Sequence, residues 1–185
     1  MGPRESTSSG FEADLDFTGA ACDYYGEDIP QLRLQVDYET NTRLHVKIVD
    51  AAADRWEVPD WIVPRSRPSQ RAPAPEYVVS TTDAPFGFSV SRTSGAVVFN
   101  STAPSSDSFR NVVFEDQYLE MSTVLPADAA VYGLGERVRP FRLETGLSYT
   151  MWTADEATPV NQNVYGVHPF YMVMSGGRAH GVVRI

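Results

Sequence analysis

Cysteine is almost missing from this sequence: Cys22 stands alone among 185 residues. A single thiol cannot close a disulfide within the chain, so the fold is not a disulfide scaffold. Its near neighbours Asp23, Glu27 and Asp28 are acids, which disfavour the thiolate a nucleophile needs. Histidine is scarce too. His45, His168 and His180 fall in separate strand-like segments with no paired spacing, whereas a catalytic zinc draws two or three onto one face; no metal and no cofactor are expected. Nucleotide and hydrolase signatures are absent, there being no P-loop and no G-x-S-x-G. In "GLGE" at 133–136 the third glycine position is Val138, so Gly133 and Gly135 read as turn glycines. No apolar run approaches the roughly 20 residues that cross a bilayer, and no membrane partner is expected. The opening "MGPRESTSSG" lacks the apolar stretch of a signal peptide. Positive charge is short: Lys and Arg number 15 against 24 Asp and Glu, a net charge of −9 with a pI near 4.7. Such a surface repels polyanions and argues against a nucleic-acid partner.

What is present is apolar enough to fold, with 42% hydrophobic and 11% aromatic residues. Leu32, Leu34, Val36 and Tyr38 alternate with Gln31, Arg33, Gln35 and Asp37, the period of a half-buried strand. After the polar turn "ETNT", Leu44, Val46 and Ile48 alternate again, which makes the pair an antiparallel hairpin. Phe86 to Val90 and, beyond Gly95, Val97 to Phe99 continue the pattern. Further strand-like stretches are Tyr118 to Leu125, "YTMW" at 149–152, Phe170 to Met174 and Gly181 to Ile185. Helical periodicity is nowhere sustained, and its best candidate, "PADAAVYG" from Pro126, is short and closed by Gly133. Many short strands separated by turns predict an all-β, antiparallel β-sandwich.

Residues 1–13 are expected to form a flexible N-terminal segment, with the domain occupying 14–185. Within it, 64–75 carries Pro64, Pro68, Pro73 and Pro75 among Arg65, Arg67 and Arg71, and reads as a mobile loop or extended connector with almost nothing to bury. A second polar stretch, 100–108, opens with Asn100-Ser101-Thr102, a glycosylation acceptor in any chain that enters a secretory pathway.

From Tyr132 to His180 the sequence is dense in Tyr132, Phe141, Tyr149, Trp152, Tyr165 and Phe170, interleaved with Glu136, Glu144, Asp155, Asn161 and Asn163. Aromatic faces stack on the C–H side of a pyranose while carboxylates and amides hold its hydroxyls, although a sandwich core uses aromatics as well. In this block "VYGLGERVRPFRLE" (131–144) and "YTMWTADEATPVNQNVYGVHPFYMVM" (149–174), with "FEDQYLEMSTVLP" (114–126), "AHGVV" (179–183), "TRLHVKIVDA" (42–51) and "WEVPDWIVPR" (56–65), resemble the N-terminal domain of glycoside hydrolase family 31 α-glucosidases of the fungal secreted type. The resemblance runs from about Asp14 to the end.

That resemblance implies a galactose-mutarotase-like sandwich, incomplete at its C-terminus, followed in the family by a catalytic (β/α)8 barrel absent from this chain. The barrel carries an aspartate nucleophile and an aspartate acid/base, about 5–5.5 Å apart as retention of configuration requires. No catalytic residue is therefore expected here. The expected role is a non-catalytic domain that binds or shapes an α-glucoside or α-glucan substrate shared with the barrel, in an extracellular or secretory-pathway enzyme. Trp152-Thr153-Ala154-Asp155 followed by Thr158-Pro159 resembles the family's W-x-x-D loop, whose aspartate bonds the sugar; Asp155 is the expected contact and Thr158 a weaker one. The arginine that often precedes this aspartate in the family is replaced by Ala154. Tyr132, Tyr165, His168, Pro169 and Phe170 are expected to serve sheet and interdomain packing, and Glu136 and Arg137 to be buried or interface polar groups with partners in the chain or on the barrel. Two alternatives are a stand-alone mutarotase-like carbohydrate-binding module and an epimerase; the latter would need a His and a Glu poised over the sugar, which no spacing supports.

Overall fold

A computed structural model describes residues 1–21, 23–102, 111–157 and 160–184; Cys22, Thr158 and most of the 100–108 stretch lie outside the described residues. No helix occurs among the described residues, and every pairing of strands is antiparallel. The chain divides into two compact units, Met1–Val124 and Leu125–Ile185.

In the first unit, β1 (Glu5–Ser6), β2 (Gly10–Asp16), β3 (Gln31–Thr40) and β4 (Arg43–Asp50) form one sheet in that order. The alternation read in the sequence sends Leu32, Leu34, Val36 and Tyr38 of β3 to a single face, where Leu34 and Val36 are fully buried. Across the β2–β3 pair, Phe11 lies opposite Val36, Ala13 opposite Leu34 and Leu15 opposite Leu32, so both strands contribute to the same inner face. A second sheet consists of β5 (Tyr77–Asp83), β6 (Phe86–Arg92) and β7 (Val97–Asn100). Its Tyr77, Val79, Phe88 and Val90 join one cluster with the inner residues of the first sheet, which makes the unit a two-layer β-sandwich. Tyr38 stacks on Tyr77 with centroids 5.7 Å apart, and Phe88 on Phe99 at 4.9 Å. Each fully buried aliphatic side chain here contributes about 1.5–3 kcal/mol. The small hairpin β8 (Val112–Phe114) and β9 (Leu119–Met121) completes the unit.

One expectation fails in this unit and a second is sharpened. Residues 1–13 are not a flexible lead: they carry β1 and most of β2, and Phe11 and Ala13 are buried in the core. The Pro/Arg stretch at 64–75 forms no strand, as its prolines require, yet it is a strap fastened to the sheet. The Arg71 N–H donates to the Ser8 carbonyl and the Ala72 N–H to the Tyr38 carbonyl, and Ala72 is buried. Arg71 lies 3.8 Å over the Tyr38 ring. Arg67 grips Asp37 through two hydrogen bonds of 3.0 Å and also reaches Glu12, while the Ser9 hydroxyl donates to the same Asp37 carboxylate. Asp37 is only 2% exposed, so burial opposes its ionisation; the guanidinium and hydroxyl more than offset this and hold its pKa below the usual carboxylate value.

In the second unit, β10 (Ala130–Arg137), β11 (Asn163–Ser175) and β12 (Arg178–Val183) form a sheet around Val131, Leu143 and Val173. The "PADAAVYG" stretch proves to be a turn at Pro126–Ala129 running into β10, and "YTMW" lies outside any strand. Of the Tyr118 to Leu125 stretch only Leu119–Met121 is a strand. The glycines read as turns lie inside β10: the register with β11 shifts between Gly133 and Gly135 and again between Gly135 and Arg137. Gly133 has φ +105°, and a Cβ there would stand 2.4 Å from the Phe170 carbonyl oxygen, so only glycine fits.

Candidate functional site

The irregular end of β10 delivers Arg137 to the loop that carries Asp155. Its guanidinium donates to three backbone carbonyls, those of Leu134 (3.2 Å), Asn161 (3.3 Å) and Thr150 (2.5 Å). Thr150 and Asn161 lie on either side of Asp155 in sequence, so one side chain clasps both flanks of the loop. Beneath the clasp is Tyr149, with Arg137 5.4 Å and Arg139 4.6 Å from its ring centroid. The Asn161 N–H donates to the Val138 carbonyl, and Asn161 takes φ +64°, a left-handed conformation that asparagine tolerates better than most residues. On the other side of the loop the Ala154 N–H donates to the Val164 carbonyl.

Asp155 is exposed at the surface of this fastened loop. The Tyr165 hydroxyl donates to its Oδ1 at 2.5 Å. Among the described residues nothing bonds Oδ2, which leaves that oxygen available to an external hydroxyl. The bond to the Asp155 carboxylate raises the Tyr165 pKa above its ordinary value, with some help from burial and from the charge of Glu136. Trp152, three residues earlier, is 78% exposed, so the loop presents an aromatic face as well as a carboxylate.

The polar residues expected to need partners have them within the chain. Glu136 accepts the Gly166 N–H at 2.9 Å, and Arg137 has its three carbonyls. Asn163, almost fully buried, donates to the carbonyls of Val164 and Gly166 and sets the start of β11. Tyr165 is 63% exposed and its hydroxyl bonds Asp155, a contact that the expected packing role does not include. A W-x-x-D followed ten residues on by a tyrosine gives no sign of this in sequence, because the contact depends on where β11 begins. Thr158 lies outside the described residues, and Asn100 ends β7 in the other unit. Among the described residues, no group of three or more His, Cys, Asp or Glu is gathered where it could hold a metal ion.

The described strands pair antiparallel in both units, and the second unit carries an exposed carboxylate and an exposed indole on one clasped loop. The chain belongs to the glycosyl hydrolase 31 N-terminal galactose mutarotase-like domains, which it matches over residues 25–184. It is 38% identical to an alpha-glucosidase of Aspergillus oryzae over 96% of its own length and 19% of that protein's. A protein named probable alpha/beta-glucosidase from Arthroderma benhamiae is 40% identical over 92% of the chain and 20% of that protein, and one from Aspergillus clavatus is 41% identical over 92% and 19%. The chain thus spans about a fifth of the length of these relatives.

Proposed function

We propose that this chain serves as the non-catalytic N-terminal domain of a retaining α-glucosidase, in which the Asp155 loop contributes a sugar contact to an active site whose two catalytic carboxylates reside in a separate barrel. The observation that carries this reading is the preparation of Asp155: an exposed carboxylate with one oxygen held by Tyr165 and the other unengaged among the described residues, on a loop fastened on both flanks by Arg137. Relatives named as glucosidases support an α-glucoside or α-glucan as the ligand, and a place in the secretory pathway or outside the cell fits the same reading. The Asp155 carboxylate would accept a hydrogen bond from a hydroxyl of the terminal glucose, and Thr158 would assist from the same loop. Such a bond to a charged group contributes about 1.5–3 kcal/mol.

Assaying the chain with a chromogenic α-glucoside tests the division of labour. No turnover is expected; hydrolysis that disappears in Asp155→Ala would refute it. Calorimetry of the chain with maltose addresses the alternative of an independent carbohydrate-binding module, which micromolar binding would favour.

A further inference from the structure

The geometry points to Asn100 as a site that carries an N-linked glycan on the outer face of the β5–β7 sheet, attached before β7 closes onto β6. Asn100-Ser101-Thr102 is the only N-x-S/T tripeptide in the sequence, and Ala103 follows it. The tripeptide alone is a common accident; the strand register makes this one specific. Phe99 pairs with Val90 and stacks on Phe88 in the core, whereas Asn100 pairs with Ser89, so strand alternation turns the Asn100 side chain to the outer face. Its Oδ1 accepts both the Thr102 N–H (2.9 Å) and the Thr102 hydroxyl (2.5 Å). Those two bonds fix the amide and leave Nδ2 without a hydrogen bond among the described residues. The backbone is held as well, with the Asn100 N–H donating to the Thr123 hydroxyl and the Val124 N–H to the Asn100 carbonyl. A glycan on Nδ2 therefore displaces no hydrogen bond among the described residues.

Ser101 supplies the timing. It is fully buried, and its hydroxyl accepts the Phe88 N–H (2.9 Å) and donates to the Phe88 carbonyl (3.1 Å). A transferase that needs the three residues in its own cleft would have to unpair β7 from β6 to reach them in the folded chain. The transfer is a displacement at the anomeric carbon of an oligosaccharide carried on a lipid pyrophosphate. The C–N bond to Nδ2 forms, the C–O bond to the pyrophosphate breaks, and Nδ2 gives up one proton.

The site rests on the secretory reading, and the experiment separates the two. The chain is expressed behind a supplied signal peptide in a eukaryotic secretory host, so that export does not depend on its natural address. Peptide mass spectrometry after enzymatic deglycosylation is expected to find Asn100 converted to Asp, with one glycan's mass lost from the chain. Thr102→Ala and Asn100→Gln should abolish that loss and Thr102→Ser keep it. Exported chain with unmodified Asn100 overturns the site whatever the native location; retention of the native full-length protein in the cytosol overturns the secretory reading while leaving the site's chemistry intact. For the timing, chains completed under an inhibitor of lipid-linked oligosaccharide synthesis should stay unmodified after the inhibitor is removed, and their later modification would refute the ordering.

Discussion

Replacing Arg67 with alanine should destabilise the first unit by an amount that grows with pH. Arg67 supplies two hydrogen bonds and the compensating charge to Asp37, which is 2% exposed. The variant leaves that carboxylate buried with the Ser9 hydroxyl as its remaining side-chain donor. Breaking a buried pair by removing one partner costs about 3–5 kcal/mol. The Arg67 side chain is 39% exposed, so water reaches the vacated position and the lower end, about 3 kcal/mol, is expected at pH 7. The sign with pH follows from the two states of Asp37. In the native protein its folded pKa lies below the unfolded value, so its stabilisation is present above about pH 4 and lost as pH falls through the folded value. Without Arg67, burial dominates and lifts the folded pKa above the unfolded one; the penalty then applies at neutral pH and fades as the carboxyl protonates. Urea denaturation of both proteins from about pH 3.5 to 7 should show a gap that widens with pH. A gap under about 1 kcal/mol at pH 7, or one that does not change with pH, would refute the strap as an electrostatic fastening.

Asp155→Asn should bring the Tyr165 phenol back toward its ordinary pKa, because the carboxylate that holds its proton is gone; ultraviolet difference titration reads this, and an unchanged midpoint would deny the hydrogen bond. Arg137→Gln should speed amide hydrogen exchange between residues 150 and 161 while leaving the β11–β12 hairpin protected, and uniform loss of protection would mean the arginine supports the whole unit instead of the loop. Gly133→Ala should cost about 2–3 kcal/mol, read by denaturant midpoint, since the added Cβ meets the Phe170 carbonyl in a left-handed backbone.

Legibility in the sequence followed the strength of the local signal. The β3–β4 hairpin was readable because its apolar residues alternate without interruption, and the sandwich class followed from several such stretches. β2 has the same alternation in Phe11, Ala13 and Leu15, but the small alanine and the acids between them hid it behind a polar opening. β10 was missed for a different reason: Gly133 and Gly135 signal a turn locally, yet here they bulge a strand whose pairing with β11 is long-range. The "YTMW" aromatics read as a strand because pattern cannot separate a ring facing a sheet from one lying under two arginines, as Tyr149 does. Prolines identified the 64–75 stretch as non-strand correctly, while its fastening depended on partners some thirty or more residues away, at Asp37 and Glu12. Asp155 came from the motif around it; Arg137 and Tyr165 became visible only once the bulged register brought them to the loop.

The claim that this domain lends a sugar contact to chemistry performed elsewhere is tested most directly by steady-state kinetics of the full-length enzyme carrying Asp155→Ala. Loss of one hydrogen bond to a charged group predicts a fall in kcat/KM of roughly 10- to 100-fold on an α-glucoside, with the protein folded and the catalytic carboxylates in place. A kcat/KM equal to that of the unmodified enzyme would contradict the account.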